Sequence, residues 1–203
     1  MTAADRPVGG TGAGDAGGAP RRRHRTVLWV ALTTAAVVAA LIAVVASSQP
    51  SSDVSAQSPL LGHPAPRIAG SGLDGGHYDL RQFRGKWVLV NFMATWCPPC
   101  RQEMPQLLRF GRQHERKEDA TLLTVADDPT NVSQLRAYLA AKGAGWPAVN
   151  DPGATISYGL TGLPSSFLVT PGGLVYAYAP GEVNAREVDG WIRQGAARGF
   201  GRA

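Results

Sequence analysis

Cysteine is scarce in this chain of 203 residues, which has only two, Cys97 and Cys100. A structural zinc site usually takes about four ligands at recognisable spacings. The histidines that lie nearest in the sequence, His63, His77 and His114, show no ligand spacing. The sequence therefore predicts no metal site, and it indicates no cofactor.

Charge is also sparse, and the positive excess is local. Asp, Glu, Lys and Arg together make up 17% of the residues, and the formal net charge is +5. Residues 1–25 hold five arginines and two aspartates, a charge of +3 (5 − 2), so the remaining chain carries only +2 (5 − 3). A nucleic-acid-binding domain has its basic residues clustered on the folded surface. The charge distribution therefore predicts no nucleic-acid partner.

The first part of the chain divides into segments of different composition. Residues 1–25 are rich in Gly and Ala, and we predict a disordered, basic, cytoplasmic tail. Residues 26–46 contain no charged residue, and about 20 such residues suffice for one helix to cross a bilayer. Because basic residues before a first span hold that end in the cytoplasm, we predict a single-pass membrane anchor at 26–46, with the rest of the chain on the extracytoplasmic side. Residues 47–59 indicate a flexible linker, and residues 60–203 a folded domain.

A cleaved signal peptide is the alternative interpretation of residues 26–46. The apolar core of a signal peptide is usually only about 7–15 residues long, which favours a retained anchor. The sequence leaves both interpretations open.

The most informative stretch is WVLVNFMATWCPPC, residues 87–100. Its first seven residues, Trp87–Met93, lack polar alternation and predict a strand that is buried on both faces. Pro98 and Pro99 suit the first turn of a helix, where their missing N–H groups would have no partner anyway. Cys97 is then predicted at the helix N-terminus, where partial positive charge favours the nucleophilic thiolate.

Cys100 is predicted one turn further along this helix, shielded from solvent and able to resolve a mixed disulfide on Cys97. A purely structural disulfide is the alternative for any cysteine pair outside the cytoplasm. A Cys-x-x-Cys loop closes few residues, so its entropic stabilisation is small. That argument and the position at a helix start favour a redox role.

Strands and helices alternate through the rest of the predicted domain. A short strand pair is predicted on either side of the turn at 73–77, followed by a helical turn at 80–83. The later elements are a helix at 101–117, a strand at 121–126, a helix at 131–142, a hairpin of 165–170 and 174–179, and a helix at 185–197. This order is typical of an α/β fold.

A Cys-x-x-Cys at the end of a strand in such a pattern indicates a thioredoxin-like redox domain. The segment NFMATWCPPC at 91–100 resembles the active-site segment of the membrane-anchored, TlpA/ResA-like branch of the thioredoxin superfamily. Three other motifs are similar to that branch: GHPAP at 62–66, GKWVLVN at 85–91 and GLPSSFLV at 162–169. The resemblance implies a thioredoxin-like fold, with a central mixed β-sheet flanked by helices.

The resemblance also implies a cis-proline loop beside the cysteines, for which Pro164 is the candidate. In this superfamily the loop docks the backbone of the substrate, which would place Leu163 against the substrate. Trp96 is expected to pack beside the disulfide and to shape the surface that faces the substrate. Pro98 and Pro99 are expected to influence the helix geometry and the thiolate stability. The alternatives are an ordinary trans proline at 164 and simple packing for Trp96.

Two positions near the cysteines bear on proton transfer. Cytoplasmic thioredoxins have a buried aspartate on the strand before the cysteines, whereas this chain has Asn91, which cannot titrate. Glu103 lies three residues after Cys100, where TlpA/ResA-like reductases linked to cytochrome c maturation place an acidic residue. Its carboxylate is predicted to exchange a proton with the Cys100 thiol, or to raise the cysteine pKa by like-charge repulsion. The alternative is a purely electrostatic effect on the first helical turns.

Together these features imply a membrane-tethered, extracytoplasmic thiol–disulfide oxidoreductase. The implied direction is reductive, with exported proteins that contain cysteine pairs as substrates, apocytochrome c among them. A membrane thiol electron donor would restore the dithiol. The same site run in reverse would oxidise exported proteins. A non-catalytic scaffold with a structural disulfide is the alternative of a different class.

Overall fold

The structure is a computed structural model, and it describes residues 29–40, 58–127, 130 and 132–201. The chain forms two compact units, Met1–Ser51 and Ser52–Ala203. In the first unit, residues 29–40 are helical (α1). Within the described residues, no helix has both the length and the apolar character needed to cross a membrane. The predicted anchor extends past α1 on both sides, so its ends lie outside the described residues, as do the predicted tail and most of the predicted linker.

Within the described residues, a seven-stranded mixed sheet forms the centre of the second unit. Its strands are β1 (Ala69–Gly72), β2 (His77–Asp79), β3 (Trp87–Met93), β4 (Ala120–Ala126), β5 (Ala148–Asn150), β6 (Ser165–Val169) and β7 (Val175–Pro180). The spatial order is β2-β1-β5-β4-β3-β6-β7. Strands β3, β4 and β5 run parallel, and the other neighbouring pairs are antiparallel. The mixed sheet confirms the predicted α/β fold.

Strand β3 is buried along its whole length because apolar clusters cover both of its faces. Leu89 belongs to one cluster and Val90 to the other, as the alternation of side chains along a strand requires. At the end of β3, Met93 pairs with Ala126 of β4, which in turn pairs with Asn150 of β5. The carboxyl ends of the three parallel strands therefore meet at one edge of the sheet, and the cysteines follow β3 at this edge.

Four helices of the described residues pack on the sheet: α2 (Pro98–Glu115), α3 (Val132–Lys142), α4 (Pro152–Ser157) and α5 (Ala185–Gly195). Helices α2, α3 and α5 contribute buried residues to the cluster that contains Leu89, and α4 contributes to the opposite cluster. The crossovers through α2 and α3 join parallel strands in the same direction across the sheet. Because such crossovers share one hand, both helices cover the same face.

The predicted elements agree with the structure in type and order, apart from small differences at their ends and two omissions. Strand β3 has the predicted bounds, and α2 begins at Pro98, which confirms the predicted place of both prolines in the first helical turn. The helix predicted at 101–117 ends at Glu115, and the helix predicted at 185–197 ends at Gly195. Strand β5 and helix α4 are missing from the predicted elements. A strand of three residues is too short to show a period-two pattern. Helix α4 is signalled only by its cap, Asp151, whose carboxylate accepts the N–H of Gly153 at 3.1 Å.

Candidate active site

Cys97 and Cys100 lie at the start of α2, immediately beyond the carboxyl end of β3. Cys97 is the N-cap residue, and its Sγ accepts the backbone N–H of Cys100 at 3.2 Å. Pro98 and Pro99 occupy the first turn. The two cysteines form a disulfide, with their Cα atoms 5.3 Å apart. The structure therefore places Cys97 at a helix N-terminus, as predicted from the sequence.

The disulfide is nearly enclosed, whereas the residue before it is exposed. Cys97 is 2% exposed and Cys100 is 0% exposed, so Cys97 is the cysteine with the greater access to a partner. Trp96 is 61% exposed. This exposure does not fit simple core packing, and it leaves a large apolar side chain directly beside Cys97 in the sequence. The indole is therefore available to a protein that approaches the disulfide.

The Leu163–Pro164 peptide bond is cis, as the family resemblance implied. Leu163 is half-buried and packs against the apolar cluster that includes both cysteines. The carbonyl of Pro164 accepts the N–H of Gly181 at 2.8 Å, which ties the loop to the segment between β7 and α5. The substrate-binding roles of Leu163 and Pro164 stay predictions.

The carboxyl of Glu103 is buried on the inner face of α2, with 1% of the residue exposed. Its Oε1 accepts a hydrogen bond from Asn91 Nδ2 at 2.8 Å, and its Oε2 accepts the backbone N–H of Val183 at 3.2 Å. Burial raises the pKa of Glu103 to about 7, although both hydrogen bonds favour the ionised form. The nearby charge of Glu182 raises the pKa further. A carboxyl with such a pKa is able to take up and release a proton near neutral pH.

Cys100 and Glu103 are separated by three residues on α2, so their side chains lie on the same face of the helix. Both are buried, and both therefore point toward the sheet. The geometry places a titratable carboxyl on the same buried face of α2 as the inner cysteine, and it does not support a purely surface electrostatic effect of Glu103.

Asn91 lies on β3 directly opposite Ser166 of β6, and both residues are 0% exposed. The Asn91 amide donates one N–H to Glu103 and the other to Ser166 Oγ, the latter at 3.0 Å. Within the described residues, Asn91 Oδ1 has no hydrogen-bond partner. Asn91 is therefore a donor to the buried carboxylate, at the place where a cytoplasmic thioredoxin would have the carboxyl itself.

Comparison with known proteins gives the chain its family. A model of the AhpC/TSA family matches residues 61–178, which is more than half of the sequence. The chain belongs to the AhpC/TSA family.

Individual relatives whose names describe redox proteins are also similar to this chain. Thiol-disulfide oxidoreductase ResA of Bacillus thuringiensis (strain Al Hakam) is 29% identical over 136 residues, which cover 66% of this chain and 78% of the relative. Thioredoxin-like protein YneN of Bacillus subtilis (strain 168) is 27% identical over 129 residues, which cover 63% of this chain and 76% of the relative.

Among solved structures, a thiol:disulfide interchange protein of the thioredoxin family from Chlorobium tepidum TLS aligns with a TM-score of 0.58 at 26% identity. The alignment covers 64% of this chain and 94% of that protein. Together with the two relatives, this similarity confirms the predicted ResA-like resemblance and the predicted class of enzyme, a thiol–disulfide oxidoreductase.

Two groups of the hydrogen-bond network around Glu103 in this AhpC/TSA-family chain are absent from the predicted site residues. One is Ser166, which contacts Asn91 rather than the carboxylate and whose signal in the sequence is a polar side chain two residues after Pro164 in a largely apolar strand. The other is the backbone N–H of Val183, which donates to the carboxylate itself. A backbone donor leaves no side-chain signal, and it is found only when the chain fold is known.

Proposed function

We propose that this chain is an extracytoplasmic reductase of protein disulfides that works through the Cys97–Cys100 pair. The observation that carries the proposal is the cysteine pair at a helix N-terminus, with a buried, titratable carboxyl on the same helix. A disulfide that serves only as a structural cross-link does not require a titratable carboxyl on the same helix face. Similarity to proteins named thiol-disulfide oxidoreductase supports the same activity.

The first chemical step begins from the reduced dithiol. The Cys97 thiolate attacks one sulfur of a substrate disulfide, a mixed disulfide forms, and the substrate's other sulfur leaves as a thiolate and takes up a proton. The N-terminal end of α2 favours the attacking thiolate because its partial positive charge lies at Cys97. The exposed indole of Trp96 and the Leu163–Pro164 loop hold the substrate polypeptide.

The second step releases the substrate. The carboxylate of Glu103 takes the proton of the Cys100 thiol, and the resulting thiolate attacks Cys97 Sγ. The Cys97–Cys100 disulfide forms as the mixed disulfide breaks, and the second substrate sulfur leaves as a thiolate. Two electrons have then passed to the substrate, and a membrane thiol donor returns two electrons to the protein. The disulfide seen in the structure corresponds to the product of this step.

The wider setting of the reaction is part of the proposal. The uncharged segment at 26–46 follows a cluster of arginines, which supports a retained anchor that keeps the redox domain outside the cytoplasm. The resemblance of the motifs at 62–66, 91–100 and 162–169 to TlpA/ResA-like reductases supports a role in keeping exported proteins with cysteine pairs reduced, apocytochrome c among them, in cytochrome c maturation.

Reduction of insulin by the full-length chain tests the reaction. We expect Cys97→Ser to abolish the activity, and Cys100→Ser to accumulate a mixed disulfide on Cys97 that a non-reducing gel resolves. Full activity of the Cys97→Ser variant would contradict the mechanism. An unreactive disulfide in the wild-type chain would instead favour the scaffold.

The reduction potential, measured in thiol buffers, tests the direction. A reduction potential of about −270 mV, like that of thioredoxin, supports a reductase, whereas a potential of about −120 mV indicates a disulfide donor.

A further inference from the structure

Ser166 lies in the buried hydrogen-bond network around Glu103, and the proposed reaction does not yet use it. Its hydroxyl is 3.0 Å from Asn91 Nδ2, and the same nitrogen is 2.8 Å from Glu103 Oε1. We propose that Ser166 is a positioning residue, which fixes the Asn91 amide so that the amide holds the Glu103 carboxylate. This role rests on the proposed function of Glu103 as the proton acceptor for Cys100.

An asparagine amide needs a second contact to be held in one plane. The terminal torsion of an asparagine side chain has broad energy wells, so a single hydrogen bond leaves the amide free to swing. Asn91 donates both of its N–H groups, one to the carboxylate and one to Ser166 Oγ. With both N–H groups engaged, the plane of the amide is defined, and one N–H points at Glu103.

The orientation of the amide follows from the carboxylate. An ionised carboxylate only accepts hydrogen bonds, so the carbonyl oxygen of Asn91 cannot replace Nδ2 at that position. The observed orientation leaves Asn91 Oδ1 buried and without a partner among the described residues. An unpartnered buried carbonyl costs free energy, and the network accepts this cost to keep both N–H donors in place.

The supports of Glu103 also come from the segments that hold the cis-proline loop. Ser166 follows Pro164 by two residues on β6. On the other side, Gly181 donates to the Pro164 carbonyl, and Val183, two residues later, donates to Glu103 Oε2. The loop proposed to dock the substrate and the carboxyl proposed to move the proton therefore share one hydrogen-bonded frame.

The pKa of Glu103 depends on the hydrogen bond that it accepts from Asn91, and therefore on the contact between Asn91 and Ser166. In the oxidised chain Cys100 is part of the disulfide and does not titrate, so the other titratable groups near Glu103 are Glu182 on the β7–α5 segment and Tyr138 on α3. Neither of them changes in a Ser166→Ala variant. Without its Ser166 contact the amide swings, the hydrogen bond to the carboxylate weakens, and ionised Glu103 is less stabilised.

Carbon-13 NMR of the glutamate carboxyls in the oxidised full-length chain measures the titration midpoint of Glu103, whose signal is assigned by its loss in Glu103→Gln. In Ser166→Ala we expect the midpoint to rise by about 0.5–1 pH unit, the equivalent of one weakened hydrogen bond. Asn91→Leu should raise it further, because the donor itself is gone. Ser165→Ala is the matched control, since the Ser165 hydroxyl donates to the Gly162 carbonyl instead. A wild-type midpoint in Ser166→Ala would overturn the proposal.

A second measurement uses the unmodified chain and does not depend on a variant that folds. Both side-chain N–H protons of Asn91 should exchange slowly with water, because both are hydrogen-bonded inside the protein. Rapid exchange of the proton that points at Ser166 would contradict the proposed role of Ser166.

The pH profile of insulin reduction separates this proposal from the proposed function. If the profile of Ser166→Ala moves up with the Glu103 midpoint, both are supported. If the midpoint moves and the profile does not, Ser166 positions the carboxylate but the proton-transfer role of Glu103 is wrong. If the midpoint stays while Glu103→Gln changes the profile, Ser166 has no positioning role and the proposed function stands.

Discussion

Replacement of Glu103 by glutamine should remove a specific pH dependence of stability. Burial raises the pKa of Glu103 from its ordinary value of 4.5 to about 7. A pKa change of one corresponds to about 1.4 kcal/mol, so the ionised carboxyl costs the folded state ~3 kcal/mol relative to the unfolded chain. This cost is a large fraction of the free energy of unfolding of a typical domain, about 5–15 kcal/mol.

The direction of the effect follows from the sign of the pKa change. Because the pKa is higher in the folded state, the stability is fully present below pH 4.5 and is lost as the pH rises to about 7. Glu103→Gln carries no charge at any of these pH values, so this loss should disappear. Gln keeps one oxygen acceptor and places an NH2 where the second oxygen was, which adds a penalty that does not depend on pH.

Urea denaturation of the oxidised full-length chain, from about pH 4 to about pH 8, gives the free energy of unfolding of each protein. We expect the wild-type value minus the Glu103→Gln value to fall by about 3 kcal/mol across this range. Glu115→Gln is the matched control, because it removes the same charge from an exposed position on the same helix. A difference that stays constant with pH would refute the raised pKa of the buried Glu103 carboxyl.

Four further substitutions test helix packing, backbone strain and the surface beside the cysteines. A Cβ at Gly195 would overlap the buried Trp87 ring, so Gly195→Ala should lower the free energy of unfolding by about 1–3 kcal/mol in urea denaturation. Gly190→Ala in the same helix is the control: its Cβ would have its nearest neighbour at 3.9 Å, and it should raise the free energy of unfolding by about 1 kcal/mol. Glu118 has a φ of 56°, and Glu118→Gly should gain about 1 kcal/mol by relief of strain; a loss in urea denaturation would contradict this. Trp96→Ala should change the free energy of unfolding by less than about 0.5 kcal/mol, because substitutions at exposed positions usually have small effects on stability. The same variant should raise the KM for insulin. An unchanged KM would argue against a contact between Trp96 and the substrate.

The sequence was sufficient for the parts of the fold that have long, regular patterns. Trp87–Met93 is apolar throughout because it is covered on both faces, and that pattern gave its bounds without error. Strand β5 has only three residues, and its position between β1 and β4 depends on long-range pairing that no local pattern records. Short elements of this kind are defined by their neighbours in space.

The candidate site divides in the same way. Cys97, Cys100 and Pro164 stand in motifs of adjacent residues, so their arrangement was predictable from spacing and from family resemblance. The environment of Glu103 was not, because its supports come from positions 91, 166 and 183, which are brought together only by the sheet and by the β7–α5 segment. The pKa of a buried carboxyl depends on desolvation and on such donors, and neither quantity is visible in a linear sequence.

The buried carboxyl of this site comes from helix α2 and not from strand β3, and this position affects its pKa. In a cytoplasmic thioredoxin the carboxyl stands on the strand, whereas here the strand supplies the amide of Asn91 and helix α2 supplies Glu103. As a result, the carboxyl lies on the same helix face as Cys100, and the neutral amide of Asn91 donates a hydrogen bond to it from the strand. Two N–H donors then offset part of the desolvation cost, so the pKa stays near neutral instead of rising beyond the working range of a base. If Glu103 carries the proton as proposed, the Asn91 amide is part of what sets its pKa, and replacing either residue should change the pH profile of insulin reduction.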